Sequence, residues 1–394
     1  MSRDKNIPAL DGLRGLAIIL VLLFHFTPEG GGRTLVGTIT RWISQLGWCG
    51  VDLFFVLSGF LITGILLDAK GSAHYFRNFY MRRVLRIFPL YYGVLLVIFV
   101  IIPIWRPMSS PEDHRLMQNQ HWLWLYMANI PQAMSNGWPL KAGWVNLNHF
   151  WSLAIEEHFY LVWPAVVFAL GRKTLMRICA TCMVTSLVMR CFAYFLWNDT
   201  AAYVLTPFRM DELGMGALVA LRARGPGGIE AMVRPAKWIA AILGVSLAVI
   251  WLQEMEDVNY TVALTTLSAF FGALLVVAVG GKIASVIFSN AVLRFFGKYS
   301  YGIYVFHWIL APMLGKYFSH EKLGAMSGSH FLGVALSMVI AIGISTLMAF
   351  ASWHLYEKHF LKLKKFFEYG ERKRASAEAE AMSDRTWAVG MQAP

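Results

Sequence analysis

Seven ionisable side chains carry the chemistry this sequence could do: Arg14, His25, Asp52, Arg83, Arg86, Glu156 and Glu157. Histidine is the side chain whose unperturbed pKa lies near neutral pH, so His25 is the natural general base for drawing a proton from a poorly nucleophilic hydroxyl. Arg14 and His25 are 11 residues apart in one apolar run. At 3.6 residues per turn they share a helix face, about 16 Å apart along the axis. Asp52 opens the next apolar run at a depth similar to that of His25, where a carboxylate could orient the imidazole and raise its basicity. Arg83 and Arg86 are three apart, on one helix face. Paired guanidiniums suit phosphates through forked, charge-assisted hydrogen bonds. Glu156 and Glu157 lie some two turns into an apolar helix. They point about 100° apart, so one is expected to face a site and the other a neighbouring helix. Each residue also has a plainer reading. On it the arginines are interfacial anchors and His25 makes an interhelical hydrogen bond, while Arg190, Arg209 and Asp211 read as structural pairs. Ser58 would need a base beside it to act as a nucleophile, and next to Gly59 it reads as small-residue helix packing.

These residues must be positioned by helices that cross a membrane. Of the 394 residues, 57% are hydrophobic and only 15% charged, with a mean hydropathy of +0.52, whereas soluble domains run near a quarter charged. A bilayer core needs about 20 apolar residues per helix. The runs that qualify are 9–27, 46–67, 87–105, 149–170, 175–197, 208–222, 236–253, 260–280, 299–318 and 331–355. The expected fold is therefore all-α, a polytopic integral membrane bundle of about ten transmembrane helices. With the N-terminus in the cytoplasm, 21 Lys and Arg between Arg3 and Lys365 fall on the inner side and 7 on the outer: Arg33, Arg41, Arg106, Arg115, Lys141, Lys316 and Lys322. That asymmetry predicts both termini inside, and it accounts for the net charge of +12 without nucleic-acid binding. By depth, Arg14, Arg83 and Arg86 form a basic inner group, suited to an anionic cytoplasmic donor. His25, Asp52, Glu156, Glu157, Arg190, Arg209 and Asp211 form an outer group suited to proton transfer and sugar hydroxyls. The outer loop 106–148 could cap a site, and 118–130 reads as interfacial. Residues 1–365 read as one membrane-embedded domain, with the first helix retained rather than cleaved, and 366–394 as a disordered cytoplasmic tail. Cys179 and Cys182 have CxxC spacing inside a span with no second pair, so neither a metal nor a disulfide framework is expected.

Four ordered motifs make the chain resemble the acyltransferase 3 family of integral membrane O-acyltransferases. They are Leu10-Asp-Gly-Leu-Arg-Gly15 with His25; Phe54-Phe-Val-Leu-Ser-Gly-Phe60; Arg83-Val-Leu-Arg86 followed by Ile87 and Pro89; and Trp151-Ser-Leu-Ala-Ile-Glu-Glu157 with Phe159 and Tyr160. Ser300-Tyr-Gly-Ile-Tyr304 with His307, and Tyr356-Glu-Lys-His-Phe360, extend the resemblance over roughly residues 6–365. It implies transfer of an acyl group, acetyl by expectation, from acyl-coenzyme A to a hydroxyl of a saccharide or glycoconjugate in the bacterial inner membrane. Arg14, Arg83 and Arg86 are then donor-binding residues, with His25, Glu156, Glu157 and Asp52 on the catalytic side. Some members carry an SGNH-type extracytoplasmic domain, which these residues do not include. The expectation is that the chain acts alone or with a separate extracytoplasmic partner.

The rival reading is a polytopic transporter or flippase of a lipid-linked or acyl substrate, which would also bury charges among ten spans. Paired repeats with broken helices would favour it, and the sequence has no internal repeat. Gly-x-Ser-x-Gly, His-Glu-x-x-His and P-loop motifs are all absent, which removes the soluble chemistries they mark.

Overall fold

A computed structural model describes residues 7–28, 47–253 and 261–369; residues 370–394 of the expected tail, and Arg33 and Arg41 of the outer charge tally, lie outside the described residues. A helix lies at each of the ten apolar runs. They are α1 (Pro8–Phe26), α2 (Gly50–Ala69), α3 (Tyr75–Leu96), α4 (Phe150–Ala169), α5 (Arg172–Leu196), α6 (Met210–Ala223), α7 (Glu230–Leu252), α8 (Val262–Gly280), α9 (Ala291–Tyr317) and α10 (His330–Ser352). Among the described residues seven helical stretches are long and apolar enough to cross a membrane: α1, α2, α3 with its extension to Trp105, α5, α7, α8, and α10 with its extension to Phe367. The other three fall short for identifiable reasons. Glu156, Glu157 and His158 interrupt α4; Arg294, Lys298 and Lys316 interrupt α9; and α6 has only 14 residues. The chain is thus an all-α polytopic membrane bundle, with seven spans supported by length and composition.

One boundary differs from the sequence expectation in a way that matters. The third apolar run was set at 87–105, yet α3 starts at Tyr75. The stretch from Tyr75 to Arg86 contains no glycine or proline, so nothing in it stops a helix, while its arginines hide it from a hydropathy scan. Arg83 and Arg86 therefore stand on a continuous helix, three residues apart.

In lipid, helices associate through close packing of small residues rather than through hydrophobic burial. Two parallel pairs follow this rule. Between α1 and α9, a Cβ on Gly15 would lie 1.9 Å from the Leu293 carbonyl oxygen, and one on Gly297 would lie 1.8 Å from that of Asp11. Between α2 and α6, Gly59 meets Leu213 O and Gly216 meets Val56 O, each with room for no side chain, at 2.0 Å. Helices α2 and α4 also run parallel, because their contacts climb together: Ser58 with Glu156, Thr63 with Trp163 (2.8 Å), and Lys70 with the carbonyls of Val167 and Leu170 (2.8 and 2.7 Å).

The segment after α3 folds over one end of the bundle. It forms short helices Pro111–Gln118, Gln120–Trp124 and Asn129–Ser135 and one antiparallel hairpin, Lys141–Ala142 with Val145–Asn146. None of them is long enough to span, in agreement with the interfacial reading of 118–130. Tyr91 and Tyr92 of α3 donate to the Leu123 and Trp124 carbonyls at 2.7 and 3.1 Å, fastening the cap to the bundle. Inside the cap the carboxylate of Asp113 is buried, which opposes its charge. Donors from Trp144 (2.8 Å), Arg106 (3.1 Å) and the Ser110 backbone (3.2 Å) outweigh burial and hold it below the usual carboxylate range.

The packing at Gly297 is checked by substitution. Gly297→Ala should reduce the yield and thermal midpoint of folded protein in fluorescence-detected size exclusion. Gly343→Ala, which meets nothing within 4 Å, should leave both unchanged. Equal behaviour of the two variants would contradict the close α1–α9 contact.

Candidate active site

A cavity of about 110 Å³ opens between α1, α2, α3, α4 and α9. Its polar lining comprises Arg14, Ser58, Arg83, Arg86, Ser152, Glu156, Glu157, Tyr160, Ser300, Tyr301 and Tyr304. Helix periodicity explains which α2 residues face it. Val51, Phe55, Ser58 and Ile62 follow the i, i+4, i+7, i+11 spacing of one face, and all four are in the lining. From α4, Leu153, Glu156 and Tyr160 form the corresponding stripe, with Glu157 beside it.

The charges in this cavity are unevenly paired. Arg14 has Asp11, one turn back, at 3.4 Å. Arg83 and Arg86 form no ion pair or hydrogen bond among the described residues, and Arg83 Nε is buried without a partner. Both guanidiniums line the cavity, together with the carboxyl groups of Glu156 and Glu157. Ser58 Oγ donates to Glu156 Oε1 at 2.5 Å and accepts from the Tyr160 hydroxyl at 3.2 Å. Ser152 and Tyr304 share a hydrogen bond at 2.5 Å, and the Tyr304 hydroxyl also donates to the His149 carbonyl at 3.0 Å.

His25 sits one side-chain layer beyond this cavity, outside its lining. Tyr304, on the cavity wall, has its ring 5.4 Å from that of His307, and the His307 ring is 4.9 Å from that of His25. His149 completes the group, 5.1 Å from His307. Hydrogen bonding sets the tautomers. A carbonyl only accepts, so His307 Nδ1, 2.6 Å from Tyr304 O, carries a proton. So does His25 Nδ1, 3.0 Å from Val21 O and 3.3 Å from the free lone pair of His307 Nε2. His25 Nε2 is left with its lone pair and no hydrogen-bond partner among the described residues.

Asp52 does not orient His25. Its carboxylate is fully buried against Arg209 at 2.6 Å, and Arg209 pairs also with Glu212 at 3.0 Å. Phe55, Trp151 and Tyr203 rings surround the guanidinium. Next to it Arg190 pairs with Asp211, and Thr265 of α8 bridges them, accepting from Arg190 at 2.9 Å and donating to Asp211 at 2.7 Å. The expected structural pairing of Arg190, Arg209 and Asp211 is thus present, and Asp52 belongs with them. The division into a basic inner group and a mixed carboxylate and histidine outer group does not separate the glutamates from the arginines, which line one cavity. Glu156 is the seventh residue of α4 and Arg14 the seventh of α1. Each is about 9 Å into its own helix, and both side chains line the one cavity. Both glutamates line the cavity, where one had been expected to turn away.

A family model described as an acyltransferase domain, of the acyltransferase 3 type, matches residues 7–350. The chain belongs to this family. OatA of Listeria monocytogenes, named a peptidoglycan O-acetyltransferase, is 30% identical over 330 residues, 77% of this chain and 49% of that protein. YrhL of Bacillus subtilis, provisionally named a peptidoglycan O-acetyltransferase, is 28% identical over 377 residues, 90% of this chain and 55% of that protein. A provisionally named O-acetyltransferase of Staphylococcus aureus strain COL is 26% identical over 358 residues, 86% of this chain and 56% of that protein. The chain spans about half the length of these relatives. No solved structure matches.

Within the acyltransferase 3 family frame, the sequence reading had singled out Arg14, Arg83, Arg86, Glu156 and Glu157, and these meet in one cavity. It gives Ser58 to helix packing, takes Tyr160, Tyr304 and His307 only as family motif positions, and assigns no chemical role to His149. The signal for Ser58 was available: it lies 100° around α2 from Gly59, so a glycine-mediated contact for one residue excludes the same contact for the other.

The Asp52–Arg209–Glu212 cluster generates a test. Removing one partner of a fully buried ion pair costs about 3–5 kcal/mol. Arg209→Met should therefore deplete folded protein in detergent, and adding Asp52→Asn and Glu212→Gln to it should restore part of the loss. A single Arg209→Met variant with the native thermal midpoint would contradict the assignment.

Proposed function

We propose that the chain is a membrane O-acyltransferase that moves an acetyl group from a cytoplasmic acyl-coenzyme A to a hydroxyl of a cell-surface saccharide. The observation that carries this reading is the convergence of Arg14, Arg83 and Arg86 on one cavity, with Arg83 and Arg86 in no ion pair among the described residues. Cations without an ion-pair partner are costly inside a membrane protein, and a phosphate-bearing donor supplies the missing charge through forked contacts. The cavity is of a size for the thioester end of the donor, leaving the nucleotide at its mouth. The names of the relatives support acetyl as the group and a glycan hydroxyl as the acceptor. The 21 to 7 split of Lys and Arg supports placing both termini in the cytoplasm of a bacterial inner membrane, with the arginines at the inner mouth. A separate extracytoplasmic partner that receives or presents the acceptor fits this arrangement.

On this reading the acceptor hydroxyl attacks the acyl carbonyl and His25 Nε2 takes its proton. The Val21 carbonyl and His307 hold the opposite nitrogen, which fixes the imidazole in the tautomer a base requires. Glu156 and Glu157 act on the cavity side. Asp52 contributes by holding α2 through Arg209.

Two measurements on protein in proteoliposomes test the assignment. The Arg83→Ala, Arg86→Ala double variant should raise the KM for acetyl-coenzyme A about a hundredfold or more, since each charge-assisted hydrogen bond contributes about 1.5–3 kcal/mol. Unchanged donor kinetics would reject the phosphate role. His25→Gln should keep donor binding and lose about 10²–10⁴-fold in transfer rate. Near-native turnover would require a different base. Uptake of an acyl or lipid-linked substrate without consumption of acetyl-coenzyme A would favour a transporter instead.

A further inference from the structure

The cavity and the histidine cluster lie on opposite sides of Tyr304, which raises the question of how an acyl group passes from one to the other. Ser58 is on the cavity wall among the arginines, and its hydroxyl already donates to a carboxylate, Glu156 Oε1, at 2.5 Å. The Tyr160 hydroxyl donates to Ser58 Oγ at 3.2 Å, which fixes the direction of the Ser58 proton toward Glu156. A serine hydrogen-bonded to a base and oriented by a third group is the geometry of an activated nucleophile. No element of helix packing calls for it: Gly59, not Ser58, makes the close contact to α6.

We propose that Ser58 is the first acyl acceptor, forming an acyl-serine with Glu156 as its base; this rests on the acyl-coenzyme A donor of the proposed function. In the first half-reaction Ser58 Oγ attacks the thioester carbonyl and its proton passes to the Glu156 carboxylate. The guanidiniums of the cavity stabilise the oxyanion that develops. The carbon–sulfur bond breaks, and coenzyme A leaves as a thiolate that is protonated by water. In the second half the acceptor hydroxyl attacks the acyl-serine carbonyl and its proton passes through water to His25. The bond to Ser58 Oγ breaks, and Glu156 returns the proton it held. His25 then releases its proton to water, so atoms and charges balance over the cycle. Two bases on two sides of Tyr304 thereby have separate tasks, one for each half-reaction. Tyr160 is a positioning residue in this scheme.

The test uses the full chain in lipid nanodiscs with acetyl-coenzyme A and no acceptor. The native protein should release about one thiol per chain in a burst and carry an acetyl group on the peptide containing Ser58. Ser58→Ala should bind a thioether analogue of acetyl-coenzyme A normally, give neither burst nor label, and lose turnover about 10²-fold or more. Ser58→Cys should be labelled through a thioester, which neutral hydroxylamine removes, unlike the native ester. Should Ser58→Ala not fold, Glu156→Gln, which keeps the shape and an acceptor oxygen, should show the same loss of burst with donor binding retained. Transfer to acceptor without a burst, an acetyl group on any other residue, or native turnover by Ser58→Ala would each overturn the relay. Those results leave the acyltransferase reading standing. If the native chain binds no acetyl-coenzyme A, the donor assignment fails and the relay falls with it.

Discussion

The guanidinium of Arg209 holds the carboxylates of Asp52 and Glu212 where none of the three side chains meets solvent, and the orientation of α2 depends on that contact. Charges taken out of water must be paired or the structure does not form. Because Asp52 has to reach Arg209 at the start of α6, the α2 face that carries it must turn toward α6. Gly59 is seven residues further along, about 20° from Asp52 around the helix, and it meets the Leu213 carbonyl of α6. With that face committed, the neighbouring position is not free to choose. Ser58 is turned 100° away and comes to lie against Glu156 of α4. A structural ion pair at one end of α2 thus sets the angle at which a hydroxyl is offered to a cavity some two turns below.

The molecule separates charges that hold it together from charges that wait for something else. Arg190, Arg209, Asp52, Asp211 and Glu212 are fully enclosed and pair with one another across α2, α5 and α6, two guanidiniums among three carboxyl groups, with Thr265 adding α8. Arg83 and Arg86 form no ion pair among the described residues and stand at a cavity rather than in packed interior. The same residue type therefore reads oppositely in the two places. Where a guanidinium is paired inside a bundle, the simplest account is cohesion; where it is unpaired beside an opening, an anionic ligand is the missing half of the pair. The three histidines form a third arrangement, neutral and linked to backbone carbonyls, in which carbonyl acceptors dictate where each proton sits.

Much of this was legible along the chain. The apolar runs located each of the ten helices, because a run of about 20 apolar residues has one stable conformation in lipid. Four ordered motifs carried the family, and three-residue and eleven-residue spacings placed Arg83 with Arg86, and Arg14 with His25, on common faces. The start of α3 was missed because an arginine-rich amphipathic turn continues a helix without adding hydropathy. Arg14 and His25 do share a face of α1, yet only Arg14 reaches the cavity, since the lining ends between their depths.

Partnership was decided only by the tertiary structure. Asp52 was read toward His25 on depth, and the fold gives it to Arg209, 157 residues away; Ser58 was read as packing, and the fold gives it to Glu156, 98 residues away. Periodicity is a property of one helix and is written in its residues. Which residue of another helix stands opposite depends on the rotation, depth and separation of both helices. Those are set by glycine contacts and ion pairs between segments that no local pattern connects.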